Sequence, residues 1–271
     1  MKKRPEDLPD FSNPPLNEVA MSVEFVTEKP LRVIDIGVYW QKIKHDFPNY
    51  EEKPPLGPVD RSEKSFAQFD QPQIRFMSKL PPFSRCWFLN ENGTKLIQVQ
   101  QDRFIYNWRK LEGQELYPRY ENVRDEFLAL WQDFSDFLKG KGPGSPSIKA
   151  AELTYVNLIE KGSCWSEIKD VPKLFTFCNN QEVWKFLPDP EMFTCDLRFR
   201  ISEKKARLNA SLIPVLRTTD GNLAFRFTLS AQGATTEEDL FEWFQTSREW
   251  IVKGFTDLTT DTAHTFWKRN K

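Results

Sequence analysis

Residues 139–147 read KGKGPGSPS, and the reading of that run decides the fold. Glycine, proline and serine dominate it and no hydrophobic period passes through it, so its composition predicts a connector rather than an element. It splits the 271 residues into two stretches of similar length. The resulting division is an extended, proline-rich arm over 1–15, a first α+β half over 16–140, a linker over 141–147 and a second α+β half over 148–271.

Working back from the connector, YPRYENVRDEFLALWQDFSDFLKGKG carries Phe127, Leu130, Trp131, Phe134 and Leu138 on one helical stripe, closed by glycines at 140 and 142. Before it, RCWFLNENGTKLIQVQ holds two apolar runs around NENG, which predicts a hairpin with Gly93 supplying a positive φ. The following stretch, QVQQDRFIYNWR at 98–109, alternates through Val99 and then slips at Gln101 and Asp102. The slip predicts a bulge, after which Phe104, Tyr106 and Trp108 share a face. QIRFMSK reads as one more strand, and EEKPPLGPVD as a loop. At the start of this half, Val19, Met21, Val23 and Phe25 alternate with Glu18, Ala20, Ser22 and Glu24 as in a strand with one buried face. IGVYWQKIKHDF then reads as a short helix ended by Pro48.

Forward of the connector, KAAELTYVNLI is a strand and WSEIKDVPKLF a short helix or turn. TCDLRFRIS, ARLNASLIPVL and LAFRFTLSA follow as three strands, the last two joined through TTDGN. The final long helix opens at TTEEDLFEWF with Thr236 and Asp239 as a capping box. Leu240, Trp243, Phe244, Ile251, Phe255 and Leu258 form its buried stripe. Both halves therefore read as strand, short helix, three strands, long helix. The expected fold is α+β, with duplicated β-α-β-β-β-α halves joined into a curved antiparallel sheet and the long helices on one face. This order resembles the duplicated saddle of the TATA-binding-protein type, an analogy of architecture that does not fix function.

Lys plus Arg (38) balances Asp plus Glu (39), so net charge draws the chain to no polyanion and only a local patch could. Nine Trp and 23 Phe make large aromatic side chains the main supply of buried area. The opening MKKRPEDLPDFSNPP has no apolar run behind its basic residues, which reads as a cytoplasmic protein with no signal peptide and no membrane association. Cys86, Cys164, Cys178 and Cys195 show no C-x-x-C pairing, and with only His45 and His264 no metal or other cofactor is expected. G-x-S-x-G, H-E-x-x-H, Walker and G-x-G-x-x-G signatures are all missing. No catalytic residue is therefore assigned. An enzyme stays open only through a pocket in which His264 or Asp102 meets a neighbour of shifted pKa.

If helices cover one face, polar strand positions gather on the other. These are Arg198 and Arg200, Arg207 and Asn209, and Arg226 after the connector, with Gln98 and Gln100 before it. A solvated face needs such alternation whether or not anything binds there, but the choice of arginine, whose planar fork pairs with carboxylate or phosphate, favours a binding face. The candidate binding residues are these seven with Asn107, Trp108 and Tyr117. The last two aromatics, together with Tyr120, read either as interface anchors or as packing under the long helix.

NPPLNEVAMSVEF, QVQQDRFIYNW, YPRYE, ELTYVN and the closing His264 and Trp267 together give the chain its resemblance, over nearly its whole length, to a sporadically distributed family of uncharacterised bacterial cytoplasmic proteins. Where that family carries glycine after the last tryptophan, this chain has Lys268. The resemblance implies a bacterial origin and genes carried on mobile or defence-related segments. It also implies a protein that holds a partner encoded beside it, as an antitoxin-like or defence accessory protein does. The first functional expectation is thus a non-catalytic protein that binds a partner protein. The alternative is nucleic-acid binding through the arginine face, where residues 195–231 hold seven Lys or Arg against three Asp or Glu. Self-association into a homo-oligomer is left open.

Overall fold

A computed structural model describes residues 8–57, 84–111, 115–141, 143–178, 186–188, 190–201, 206–217 and 220–271. These residues form a mixed α+β structure of nine strands and five α-helices. In chain order they are β1 (Leu16–Val26), α1 (Val33–Ile43), β2 (Asn49–Lys53), β3 (Arg85–Leu89), β4 (Lys95–Gln100), β5 (Arg103–Arg109) and α2 (Tyr120–Lys141). After the connector come β6 (Ser147–Glu160), α3 (Val171–Leu174), β7 (Cys195–Ile201), β8 (Ala206–Leu216), β9 (Leu223–Ala234), α4 (Leu240–Leu258) and α5 (Asp261–Phe266). One sheet takes all nine strands in the order β2-β3-β4-β5-β1-β6-β9-β8-β7, every neighbour antiparallel.

The middle of the sheet is the β1–β6 pair, in which Val19 faces Tyr155 and Met21 faces Leu153, so strands from either side of the connector share backbone hydrogen bonds. Period-two alternation sends Val19, Met21, Val23 and Phe25 into one buried face. Helix stripes cover that face. Phe25 meets Trp131 of α2 at 5.6 Å between ring centroids, Phe104 stacks on Phe134 of α2 at 4.9 Å, and Phe227 meets Phe255 of α4 at 6.1 Å. Tyr39 of α1 touches Phe134, and Phe127 of α2 touches Phe244 of α4, so these three helices pack together on the same side. We call this side the back of the sheet and the other the front.

Several local expectations change. Gln101 and Asp102 are not a bulge: they form the two-residue turn of a β4–β5 hairpin in which Gln100 faces Arg103. The start of the segment read as a loop belongs to β2, an edge strand with four of its five residues exposed and hence no apolar alternation to reveal it. The strand expected at QIRFMSK lies outside the described residues. α2 runs through Gly140 to Lys141, and β6 begins at Ser147, so the connector is shorter than its composition suggested.

The arm also departs from expectation, because its described part is extended yet docked. Leu8 and Phe11 are buried, Phe11 forms a β-bridge with Arg269, and the Asn13 N–H donates to the Trp267 carbonyl. What it docks on is α5, a helix capped by Thr260, whose Oγ1 accepts from the Ala263 N–H. Its far end is a Schellman motif. The Lys268 N–H donates to the Thr265 carbonyl, the Arg269 N–H donates to the His264 carbonyl, and Lys268 sits at φ 55°. A left-handed lysine is strained, whereas glycine holds that conformation without a Cβ clash. Lys268→Gly is therefore expected to raise the unfolding free energy by about 0.5–1 kcal/mol, the relief of strain less the added chain entropy of glycine. The midpoint of urea unfolding measures it, and Lys268→Ala should show no such gain.

Candidate functional site

Front and back of the sheet present different chemistry. On the front, Arg198, Arg200 and Arg226 are exposed, and Arg207 and Asn209 are half-buried. Arg198 Nε donates to Asn209 Oδ1 across the β7–β8 pair at 3.0 Å, and Arg200 faces Arg207 directly on the same pair. Carboxylates are interleaved with these arginines. Asp196 lies on β7, and Glu152 of β6 accepts from Ser230 of β9 and from Thr154. Glu18 of β1 accepts from Asn107, and its carboxyl is pushed above the ordinary value because burial outweighs that donation and the nearby Arg109 and Arg226.

The first-half candidates do not extend this surface. Gln98, Gln100 and Asn107 are buried, and all three bond within the protein, although Gln98 Oε1 has no partner among the described residues. Gln98 Nε2 donates to Asn107 Oδ1 at 2.7 Å, and Gln100 accepts from the Leu56 N–H and donates to Asp102. Residues 54–57 lie over this part of the front, where Arg103 Nη2 also donates to the Gly57 carbonyl. Trp108 is on the back, because its neighbour Asn107 is on the front and side chains alternate. It is 4% exposed, with its ring 5.1 Å from that of Tyr117. The packing reading therefore holds for Trp108, and the front arginines and these aromatics are separate surfaces.

The back holds a cleft that the sequence reading missed, with a volume of about 580 Å³. Its walls are the docked arm, the start of α2, the β6 strand and one face of α4. Three tyrosines line it, two of them at the entry to α2 and the third on β6. Tyr117 and Tyr155 bring their hydroxyls to 3.4 Å, and Tyr120, only 1% exposed, has no hydrogen-bond partner for its hydroxyl among the described residues. Burial first, and then the neighbouring phenol, hold the Tyr117 and Tyr120 hydroxyls far above their ordinary pKa, so both remain protonated donors. Two guanidiniums flank the Tyr120 ring, that of Arg248 at 4.4 Å and that of Arg124 at 5.7 Å from its centroid. Arg248 Nη1 pairs with Glu121 Oε1 at 2.6 Å, Arg124 with Asp125, and Arg119 with Asp10.

A signal for this cleft does exist in the sequence. Asn157 falls in the apolar phase of β6 with Leu153, Tyr155 and Ile159, and Arg124 and Arg248 fall in the apolar stripes of α2 and α4. Polar residues in core phases mark a partner or a cavity. YPRYE and ELTYVN meet there.

The residues considered for catalysis lie elsewhere. His264 is held between Thr259 Oγ1 at 2.8 Å and the Arg269 guanidinium, with burial lowering its pKa, and it does not line the cleft. Asp102 sits in the β4–β5 turn and His45 is exposed. All four cysteines are half-buried free thiols. Among the described residues no group of three or more His, Cys, Asp or Glu is placed to hold a metal ion, and no helix is long and apolar enough to cross a membrane. Compared with known proteins, the chain matches no family model, and no curated protein resembles it at a significant level.

Proposed function

We propose that this chain is a non-catalytic binding protein that grips a partner protein through the front of its sheet, over β7, β8 and β9. The observation that carries the reading is the mixture on that face: Arg198, Arg200, Arg207 and Arg226 stand among Asp196, Glu152, Asn209, Thr228 and Ser230. A nucleic-acid track needs guanidiniums unbroken by carboxylates, because each acid repels the phosphates that release counterions on binding. A protein surface supplies both donors and acceptors and suits the mixed face. β7 is also an outer strand of the sheet, and among the described residues no strand pairs with its other edge, a position suited to backbone pairing. Following the family resemblance, the partner is the product of an adjacent gene, held in the manner of an antitoxin-like or defence accessory protein.

Internal duplication is part of the same proposal, with 16–140 and 148–271 as two halves of a single domain. In each half the last strand returns beside the first, β5 on β1 and β9 on β6, and a long helix follows it. That order supports a saddle-like sheet with an approximate two-fold axis between β1 and β6. The tagged full-length chain, co-expressed with the products of its flanking genes, should retain one of them in stoichiometric amount. The double variant Arg198→Glu/Arg226→Glu should then lose that partner at least about tenfold, since reversed charges at an interface cost more than 1.4 kcal/mol, while urea unfolding stays the same. Retention unaffected by the double reversal overturns the assignment of the front. Binding to DNA or RNA that weakens steeply with salt would replace it with the nucleic-acid reading.

A further inference from the structure

We propose that the cleft on the back of the sheet is a binding site for a small molecule with an apolar body and a single carboxylate head. This goes beyond the partner surface, from which the sheet itself separates it. Four observations converge. The volume of about 580 Å³ suits a drug-sized ligand, and the inner wall is apolar, made by Phe11, Leu229, Ile251 and Phe255. A buried phenol without an acceptor is costly, and the Tyr120 hydroxyl, in the lining and without a partner among the described residues, is such a group. The amino end of α2, a 22-residue helix, opens on the same cleft and favours negative charge there. Arg119, immediately before that helix, is held at φ 75°, a strained conformation for a side-chain-bearing residue of the kind that clusters at ligand sites.

Charge balance selects the head group. The lining cations Arg119, Arg124 and Arg248 are matched by Asp10, Glu121 and Asp125, each already in a pair. A dianionic phosphate would enter without a spare counter-charge. One carboxylate needs less: a donor hydroxyl from Tyr120, the helix end, and the two guanidiniums packed against the tyrosine ring. The aromatic and aliphatic wall then takes the body of the ligand.

Isothermal titration of the full-length protein with phenylacetate and with octanoate tests this, using phenylacetamide and octanamide as neutral matches and inorganic phosphate as a bare anion. At least one carboxylate is expected to bind with a submillimolar Kd, at least about fivefold more tightly than its amide, the margin a charge-assisted hydrogen bond supplies over a neutral one. Tyr120→Phe should weaken that binding about 3- to 10-fold, the value of one hydrogen bond, with the urea midpoint unchanged or raised. Val252→Trp, filling the cleft from α4, should abolish it. No binding of either carboxylate at millimolar concentration overturns the proposal. Equal binding of acid and amide removes the carboxylate head, binding of phosphate alone removes the apolar body, and binding indifferent to both substitutions places the ligand elsewhere.

Discussion

Phe104→Ala is expected to lower the unfolding free energy by about 3–5 kcal/mol, the range for deleting a fully buried phenyl ring from a packed core. Phe104 is 0% exposed. It sits on β5 beneath α2, stacked on Phe134 at 4.9 Å, with Trp131 at 5.8 Å and Phe127 at 6.3 Å. Those rings are held by others in turn: Trp131 by Phe25, Phe134 by Tyr39, and Phe127 by Phe244 of α4. Trp131 cannot swing to fill the gap without breaking the hydrogen bond from its Nε1 to the Glu237 carboxylate at 3.0 Å. Alanine therefore leaves a cavity that the surroundings close only in part, and cavity and transfer costs add. Urea unfolding followed by tryptophan fluorescence measures the loss. Ile34→Ala, at a position 67% exposed, should change stability by less than about 0.5 kcal/mol. A small effect at Phe104 would mean that α2 does not pack on this sheet as described.

The same burial pattern explains what was legible in the sequence. β1 announces itself by alternation, β9 by Leu223, Phe225, Phe227 and Leu229, and α4 by a stripe in which Leu240, Trp243, Phe244, Ile251, Phe255 and Leu258 are all buried. Each has one wet and one dry side, and that asymmetry is written into the residues. β2 has neither an apolar face nor burial, and α5 is six residues long, so neither leaves a period to read. The Gln101-Asp102 turn was missed for a chemical reason. Two-residue hairpins usually advertise themselves with Asn-Gly or Asp-Gly at positive φ, and neither residue here adopts one.

The candidate sites divide on the same principle. Exposed Arg198, Arg200 and Arg226 follow from alternation alone, because no described helix lies over the front of β7, β8 and β9. Gln98, Gln100 and Asn107 alternate just as well but are buried: Leu56 bonds to Gln100, and Gln98 and Asn107 bond to each other, and no local pattern carries that information. The cleft is less visible still. Its walls come from the arm, α2, β6 and α4, so it exists only after the β1–β6 pairing brings both sides of the connector together.

Glu121→Ala should cost about 3 kcal/mol, near the lower end for stranding one partner of a buried ion pair. Its partner Arg248 has a side chain 7% exposed, whereas that of Glu121 is 25% exposed, so the carboxylate sits at the wet end and the guanidinium at the dry end. Removing the acid leaves Arg248 charged over the Tyr120 ring at 4.4 Å without its ion-pair partner. The double variant Glu121→Ala/Arg248→Met should recover most of the loss, because an apolar side chain of similar length needs no counter-charge there. The pair also sets a pH dependence. Burial alone would raise the Glu121 carboxyl, but its own backbone N–H at the start of α2 together with Arg248 and Arg124 outweighs burial, and the pKa falls below the ordinary 4.5. A carboxyl held lower in the folded state stabilises it above the unfolded value and loses that contribution as pH falls through the folded one. Wild-type stability should therefore decline below about pH 4.5 more steeply than that of the double variant. Parallel declines would show that the Glu121–Arg248 contact adds nothing to the fold, and that the α2–α4 junction above the cleft is held by its aromatic contacts alone.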